Sequence, residues 1–133
     1  MEANRIEQKL DAFSKDIFLR KITKHDICLL YDELPRVLEN HPNFASKAFD
    51  LLKKTLQYSQ NDRHCVEDLY SALTKIVEHD PTLAVNGLDV FKVALQSKEN
   101  DEYTFSVAQK TFNAIAKANS SLAPTAEIGR AHV

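Results

Sequence analysis

Two pairs of neighbouring histidine and cysteine residues are the first candidates for a chemical site in this chain. Such residues can bind metal ions, or act together as a nucleophile and its base. Cys28 follows His25 by three residues, and Cys65 follows His64 directly. A zinc site needs four ligands at typical spacings, and no further ligands accompany these pairs. A cysteine nucleophile needs a positioned base and an orienting group, which are also missing. We therefore predict no catalytic residue, no metal site and no cofactor.

The same two cysteines bear on the cellular compartment. Two cysteines are too few for the disulfide framework of a small secreted domain, so we expect Cys28 and Cys65 to be reduced thiols. No apolar run reaches the ~18 residues that a membrane span needs. The first ten residues, MEANRIEQKL, are too polar for a signal peptide. These features predict a soluble, cytoplasmic protein without a membrane span.

The composition favours one helical domain. The chain has 133 residues, 44% of them hydrophobic and 27% charged, which is enough for a real core. It contains only two glycines, whereas β-rich folds need many glycine-containing turns. The net charge of −2 gives no basic surplus to neutralise phosphates, so we expect no nucleic-acid partner.

A 39-residue repeat organises the sequence. Residues 25–62 align without gaps on residues 64–101, and 13 of the 38 positions are identical, including His25/His64, Tyr31/Tyr70, Pro42/Pro81 and Asp62/Asp101. Weaker matches extend the register in both directions. The repeat predicts one domain over residues 1–118, with units at about 3–40, 42–79 and 81–118. Residues 119–133 then form a degenerate half-repeat or a disordered tail.

Each unit is predicted to contain two helices, A and then B. Apolar residues of the first helix B, such as Ile27, Leu30 and Leu34, recur at helical spacing and form one core-facing stripe. We expect Asp62 and Asp101 to cap the later B helices by accepting from first-turn N–H groups. Asp80 before Pro81 and, more weakly, His41 before Pro42 have the pattern of a cap followed by proline at the start of helix A.

This pattern resembles HEAT or armadillo-type repeats over about residues 3–118. The resemblance rests on the unit length, the helix pair, proline at the start of helix A, and Asp62 and Asp101 in the turn before helix B. The residues after these aspartates differ from the Val-Arg pair common in HEAT units, so the pattern is HEAT-like. Tetratricopeptide repeats have a period of 34 residues and do not fit. The resemblance implies an all-α, short right-handed α-solenoid with six to seven helices.

Such arrays serve as scaffolds that bind a protein or peptide partner, and the resemblance implies that helix B lines the concave surface. The outward positions of the three B helices supply the candidate partner-binding residues: His25, Asp32, Arg36, His64, Asp68, Ser71, Lys75, Tyr103, Lys110 and Lys117. The first two units contribute carboxylates and histidines, and the third contributes lysines. This gradient would orient a partner through charge complementarity.

Three other interpretations stay open. Charged residues on a helix are most often only a solvated surface. The chain is alternatively a structural end fragment of a longer solenoid, or a homo-oligomer through exposed ends, since the outer side of helix 102–118 is an exposed end if nothing covers it. Phe18, Leu19 and Ile22 either pack the first A–B turn or form an apolar patch at the N-terminal end. A HEAT-like nucleic-acid enzyme would need a basic groove with a buried carboxylate, and the B helices mix many carboxylates with few lysines.

Overall fold

The computed structural model describes residues 2–58, 65–96 and 101–122, and the regular secondary structure in these residues is helical throughout. The six α-helices are α1 (Glu2–Phe18), α2 (Lys24–Asn40), α3 (Ala45–Tyr58), α4 (Val66–His79), α5 (Ala84–Leu95) and α6 (Glu102–Leu122). Two 3-10 turns, Pro42–Phe44 and Pro81–Leu83, lead directly into α3 and α5. The predicted all-α class is confirmed.

Side-chain caps define the starts of two predicted B helices. At α2, the Asp26 N–H donates to the Thr23 hydroxyl and the Thr23 N–H donates to the Asp26 carboxylate, both at 3.1 Å. At α6, the Thr104 N–H donates to the Asp101 carboxylate at 2.9 Å. These bonds satisfy N–H groups that have no partner inside the helix. The predicted Asp101 cap is therefore confirmed.

The corresponding prediction for Asp62 is wrong. Helix α4 begins at Val66, and its N-cap residue is Cys65, which makes no side-chain capping bond. Cys65 has a left-handed backbone conformation with φ 60°. That conformation interrupts the right-handed helical path, so α4 cannot begin before it. Asp62 itself lies outside the described residues.

The two later A helices start in the same way. Pro42–Phe44 and Pro81–Leu83 begin 39 residues apart, and proline stands at the first position of each turn. The Asp80 carboxylate accepts from the Thr82 N–H at 3.2 Å, as its position before proline predicts. His41 makes no equivalent side-chain bond. Proline fits this position because its missing N–H would have no helical partner.

The helices pack in two rows. Helices α2, α4 and α6 lie side by side, and α1, α3 and α5 lie side by side behind them. Helix α4 contacts α2 and α6 in its own row and α3 and α5 in the other, so seven of its residues are buried. Tyr31 and Tyr70 lie in this core, and the Tyr31 hydroxyl shares a 2.6 Å hydrogen bond with the Thr55 hydroxyl.

Candidate functional site

The outward surface of α2, α4 and α6, which we call the B face, carries the predicted partner-binding residues. Seven of them are exposed: His25, Asp32, Arg36, Ser71, Tyr103, Lys110 and Lys117. Asp68 and Lys75 are half-buried. His64 lies outside the described residues. The structure therefore places nine of the ten candidates on three neighbouring helices.

Three carboxylates approach one another on the B face. Burial raises the pKa of Asp68 above its ordinary value, and the negative charges of Asp32 and Glu67 raise it further. Asp32 belongs to α2, whereas the other two belong to α4, so two helices converge here. Arg36 lies 3.4 Å from Asp32, but both side chains are well exposed, and such an ion pair contributes little. Three carboxylates and one guanidinium group therefore share this part of the B face.

Polar contacts join the B helices across their outward surface. The Tyr103 hydroxyl of α6 hydrogen-bonds the Glu67 carboxylate of α4, which raises the pKa of Tyr103 by favouring its protonated form. The Lys75 Nζ atom of α4 lies 3.3 Å from Oε1 of Glu39 on α2 and 3.9 Å from Oε1 of Glu78 on α4. Glu67 was not among the sequence candidates, although its outward position beside Asp68 was the available signal.

Cys28 and Cys65 form a disulfide, so the expectation of two reduced thiols is wrong. Their Cα atoms are 5.7 Å apart, and the bond ties α2 to the start of α4. The two cysteines are not at equivalent repeat positions, and Cys65 has a left-handed backbone where α4 begins. Neither sulfur is then available as a nucleophile. The pairing also removes the free thiols that supported a cytoplasmic assignment.

Apolar residues are exposed at both ends of the two rows. Near the end of α1, Phe18 is 84% and Leu19 43% exposed, whereas Ile22 is buried. Two of these three apolar residues are therefore exposed, and only Ile22 packs into the core. On α6, Phe105 and Phe112 are exposed, as expected for the outer side of the last helix.

Among the described residues, no helix combines the length and the apolar character that crossing a bilayer requires. The same residues contain no cluster of three or more His, Cys, Asp or Glu side chains arranged to hold a metal ion. Comparison of the chain with protein-family models, curated proteins and solved structures gives no match.

Proposed function

We propose that this chain is a short HEAT-like α-solenoid of three helix pairs that binds a protein or peptide partner on its B face. Support for the architecture comes from the alternation of helices between two rows and from the 39-residue offset between Pro42–Phe44 and Pro81–Leu83. A lone helix pair cannot bury its apolar stripe, and stacking of pairs does so. The side of each B helix that faces away from this stack is left for a partner.

The convergence of Asp32, Glu67 and Asp68 is the observation that carries the binding proposal. Like charges held together destabilise a fold, and ionisable groups with shifted pKa values are concentrated at functional sites. A partner with lysine or arginine side chains would relieve this repulsion. Lys110 and Lys117 on α6 would contact acidic groups of the same partner. A partner that is basic at one end and acidic at the other would therefore bind in one orientation.

A charge-neutralised pair of variants tests the proposal. Asp32→Asn/Asp68→Asn changes the B face, and Asp16→Asn/Asp50→Asn changes the A helices. Both raise the formal net charge from −2 to 0, by two removed carboxylates. Affinity capture from a cell extract is compared for the wild type and both variants, with circular dichroism as a folding control. We expect a partner that the wild type and the A-helix variant retain and the B-face variant loses.

Two results would count against this proposal. Retention of every partner by the B-face variant would exclude these carboxylates from binding. Equal loss from both variants would show nonspecific charge attraction.

A second candidate function, a structural segment of a longer helical stack, is favoured by the exposed Phe105 and Phe112 on α6.

A further inference from the structure

Four sets of equivalent positions, each spaced by 39 residues, behave differently in the last unit. In the first unit they are Leu10, Ile17, Ile27 and Leu34, and in the second Phe49, Leu56, Val66 and Leu73; none of these eight is more than 7% exposed. In the third unit, Leu88 is half-buried, and the other three are exposed by 38% (Leu95), 56% (Phe105) and 46% (Phe112). We call these last four residues the C-terminal end face.

The next unit along the chain explains the burial in the second unit. A methyl group added to Gly87 of α5 would lie 3.2 Å from Val77 Cγ1 and 3.6 Å from Leu73 Cδ1 of α4. Leu73 is thus covered closely by the following helix A at a small residue. Phe112 is the equivalent of Leu73, and among the described residues no helix follows α6. The C-terminal end face therefore repeats an interface that the chain fills elsewhere.

A second copy stacked head to tail does not fit this face. Helices α3 and α5 bury Ala48, Leu51 and Thr55, and Gly87, Val90 and Ala94, at equivalent positions. In α1 these positions are Lys9, Ala12 and Asp16, and all three are exposed. Lys9 lies 2.6 Å from Glu33 and remains half exposed. Stacking would bury lysine and aspartate against phenylalanine, which is costly without compensating partners.

The residues that directly follow helix B do not lead into a helix A in the third unit. His41 and Asp80 end α2 and α4, and each is followed by proline. The equivalent positions are Asn119 and Ser120, and α6 runs through both to Leu122. The chain thus continues straight past the point at which the other units turn back.

We propose that the C-terminal end face binds a repeat-type helix pair supplied by another protein. The bound helix A would place a small residue over Phe112, as Gly87 lies over Leu73. Its neighbouring apolar residues would cover Phe105 and Leu95. Burial of a continuous apolar surface by a matching amphipathic helix is an established mode of recognition.

The rim of the face specifies the charges of this partner. Between the first two units, Lys47 lies 2.9 Å from Asp11, and Lys75 lies 3.3 Å from Glu39. The equivalents of Asp11 and Glu39 in the third unit are Asp89 and Lys117, both exposed. The partner therefore carries a basic side chain opposite Asp89 and an acidic side chain opposite Lys117.

A fusion protein tests the docking chemistry without an identified partner. The full chain is followed by a flexible glycine–serine linker and a second copy of residues 81–118. In the appended copy, Asn86→Lys and Ala114→Glu supply the basic and acidic side chains opposite Asp89 and Lys117 of the host. An isolated helix pair is not stably helical, so the appended copy gains helix only when it docks. We expect the helical circular dichroism signal of the fusion to exceed that of the unfused chain by two further helices. Sedimentation velocity should show a monomer.

Matched variants locate the docking site. Phe112→Lys or Phe105→Lys in the full chain should abolish the gain of helix. Gly87→Lys in the appended copy should do the same, because it places a lysine at the position that Lys9 occupies in α1. Leu29→Lys, which replaces an apolar residue of α2 that is 45% exposed, should preserve it. The unfused variants show by circular dichroism that the host still folds.

Three outcomes would overturn the proposal. The first is an appended copy that stays unfolded on the wild-type host. The second is docking that persists in the Phe112→Lys and Phe105→Lys hosts. The third is self-association of the unfused chain that Phe112→Lys abolishes, which would assign the face to a second copy. None of these results depends on partner capture by the B face, so the two proposals fail separately.

Discussion

Truncation of one repeat position to alanine should cost different amounts of stability in the second and third units. Leu73 and Phe112 occupy equivalent positions on α4 and α6, but Leu73 is 0% exposed and Phe112 is 46% exposed. Leu34 of the first unit is also 0% exposed and serves as an internal comparison. The three substitutions are Leu34→Ala, Leu73→Ala and Phe112→Ala.

The expected magnitudes follow from burial. Removal of a fully buried leucine side chain costs about 3 kcal/mol, because lost apolar burial and a residual cavity both contribute. A fully buried phenylalanine would cost about 4 kcal/mol. Nearly half of the Phe112 side chain is exposed in the folded protein, so less apolar burial is lost on its removal. The space left behind is open to solvent and is not a closed cavity. We therefore expect Phe112→Ala to lower the free energy of unfolding by about 1.5 kcal/mol. Part of this comes from the lost contact with the Phe91 ring, whose centroid lies 6.0 Å from that of Phe112.

Urea denaturation followed by circular dichroism measures the free energy of unfolding of each variant. Leu34→Ala and Leu73→Ala should agree within about 1 kcal/mol, and both should exceed Phe112→Ala by about 1.5 kcal/mol. A loss near 4 kcal/mol for Phe112→Ala would show that its ring is buried in solution. The C-terminal end face would then not be open, and the proposed docking of a helix pair on it would fail as well.

Two further predictions concern the B face. Reduction of the Cys28–Cys65 bond should lower the free energy of unfolding by about 3 kcal/mol, because the bond closes a loop with sequence separation 37 and so restricts the unfolded chain. The unfavourable left-handed backbone of Cys65 offsets part of this stabilisation. Urea denaturation with and without dithiothreitol checks this, and an unchanged midpoint would indicate free thiols. Asp68→Asn should stabilise the chain by about 0.5 kcal/mol at pH 7, a value kept small because solvent screens half-exposed charges. Because the pKa of Asp68 is raised in the folded state, its negative charge destabilises the fold only at pH values above the ordinary carboxyl pKa of 3.8. The stabilisation by Asp68→Asn should therefore shrink as the pH falls towards 4. A stabilisation that does not change with pH would contradict charge repulsion at Asp68.

The sequence predicts those features of the fold that depend on local spacing. The apolar stripe of α2, the Asp101 cap and the proline at each 3-10 turn are all fixed by residues within one or two helical turns. Hydrophobic periodicity and capping operate at this distance. The outward direction of the candidate residues follows from the same periodicity, which is why nine of the ten lie on the B face.

The disulfide and the start of α4 depend on contacts that no local pattern records. Cys65 is 37 residues from Cys28 in sequence, and the packing of α2 against α4 brings the two close together. A non-glycine residue with positive φ is uncommon, and nothing in the neighbouring residues indicates it. The left-handed backbone of Cys65 moves the start of α4 beyond Asp62. The raised pKa of Asp68 likewise depends on the approach of α2 to α4.

The outer surfaces of α1 and α6 differ in a way that sequence and structure explain only together. Val66 and Phe105 occupy equivalent positions and are both apolar, yet they are 2% and 56% exposed, because a helix pair follows one and not the other among the described residues. On α1, Lys9 and Asp16 are exposed and stand where α3 and α5 have small or apolar residues. Terminal repeats need such a polar face for solubility. Since α6 keeps phenylalanine where polar residues would serve water better, its outer side is better suited to contact with another helix than to solvent.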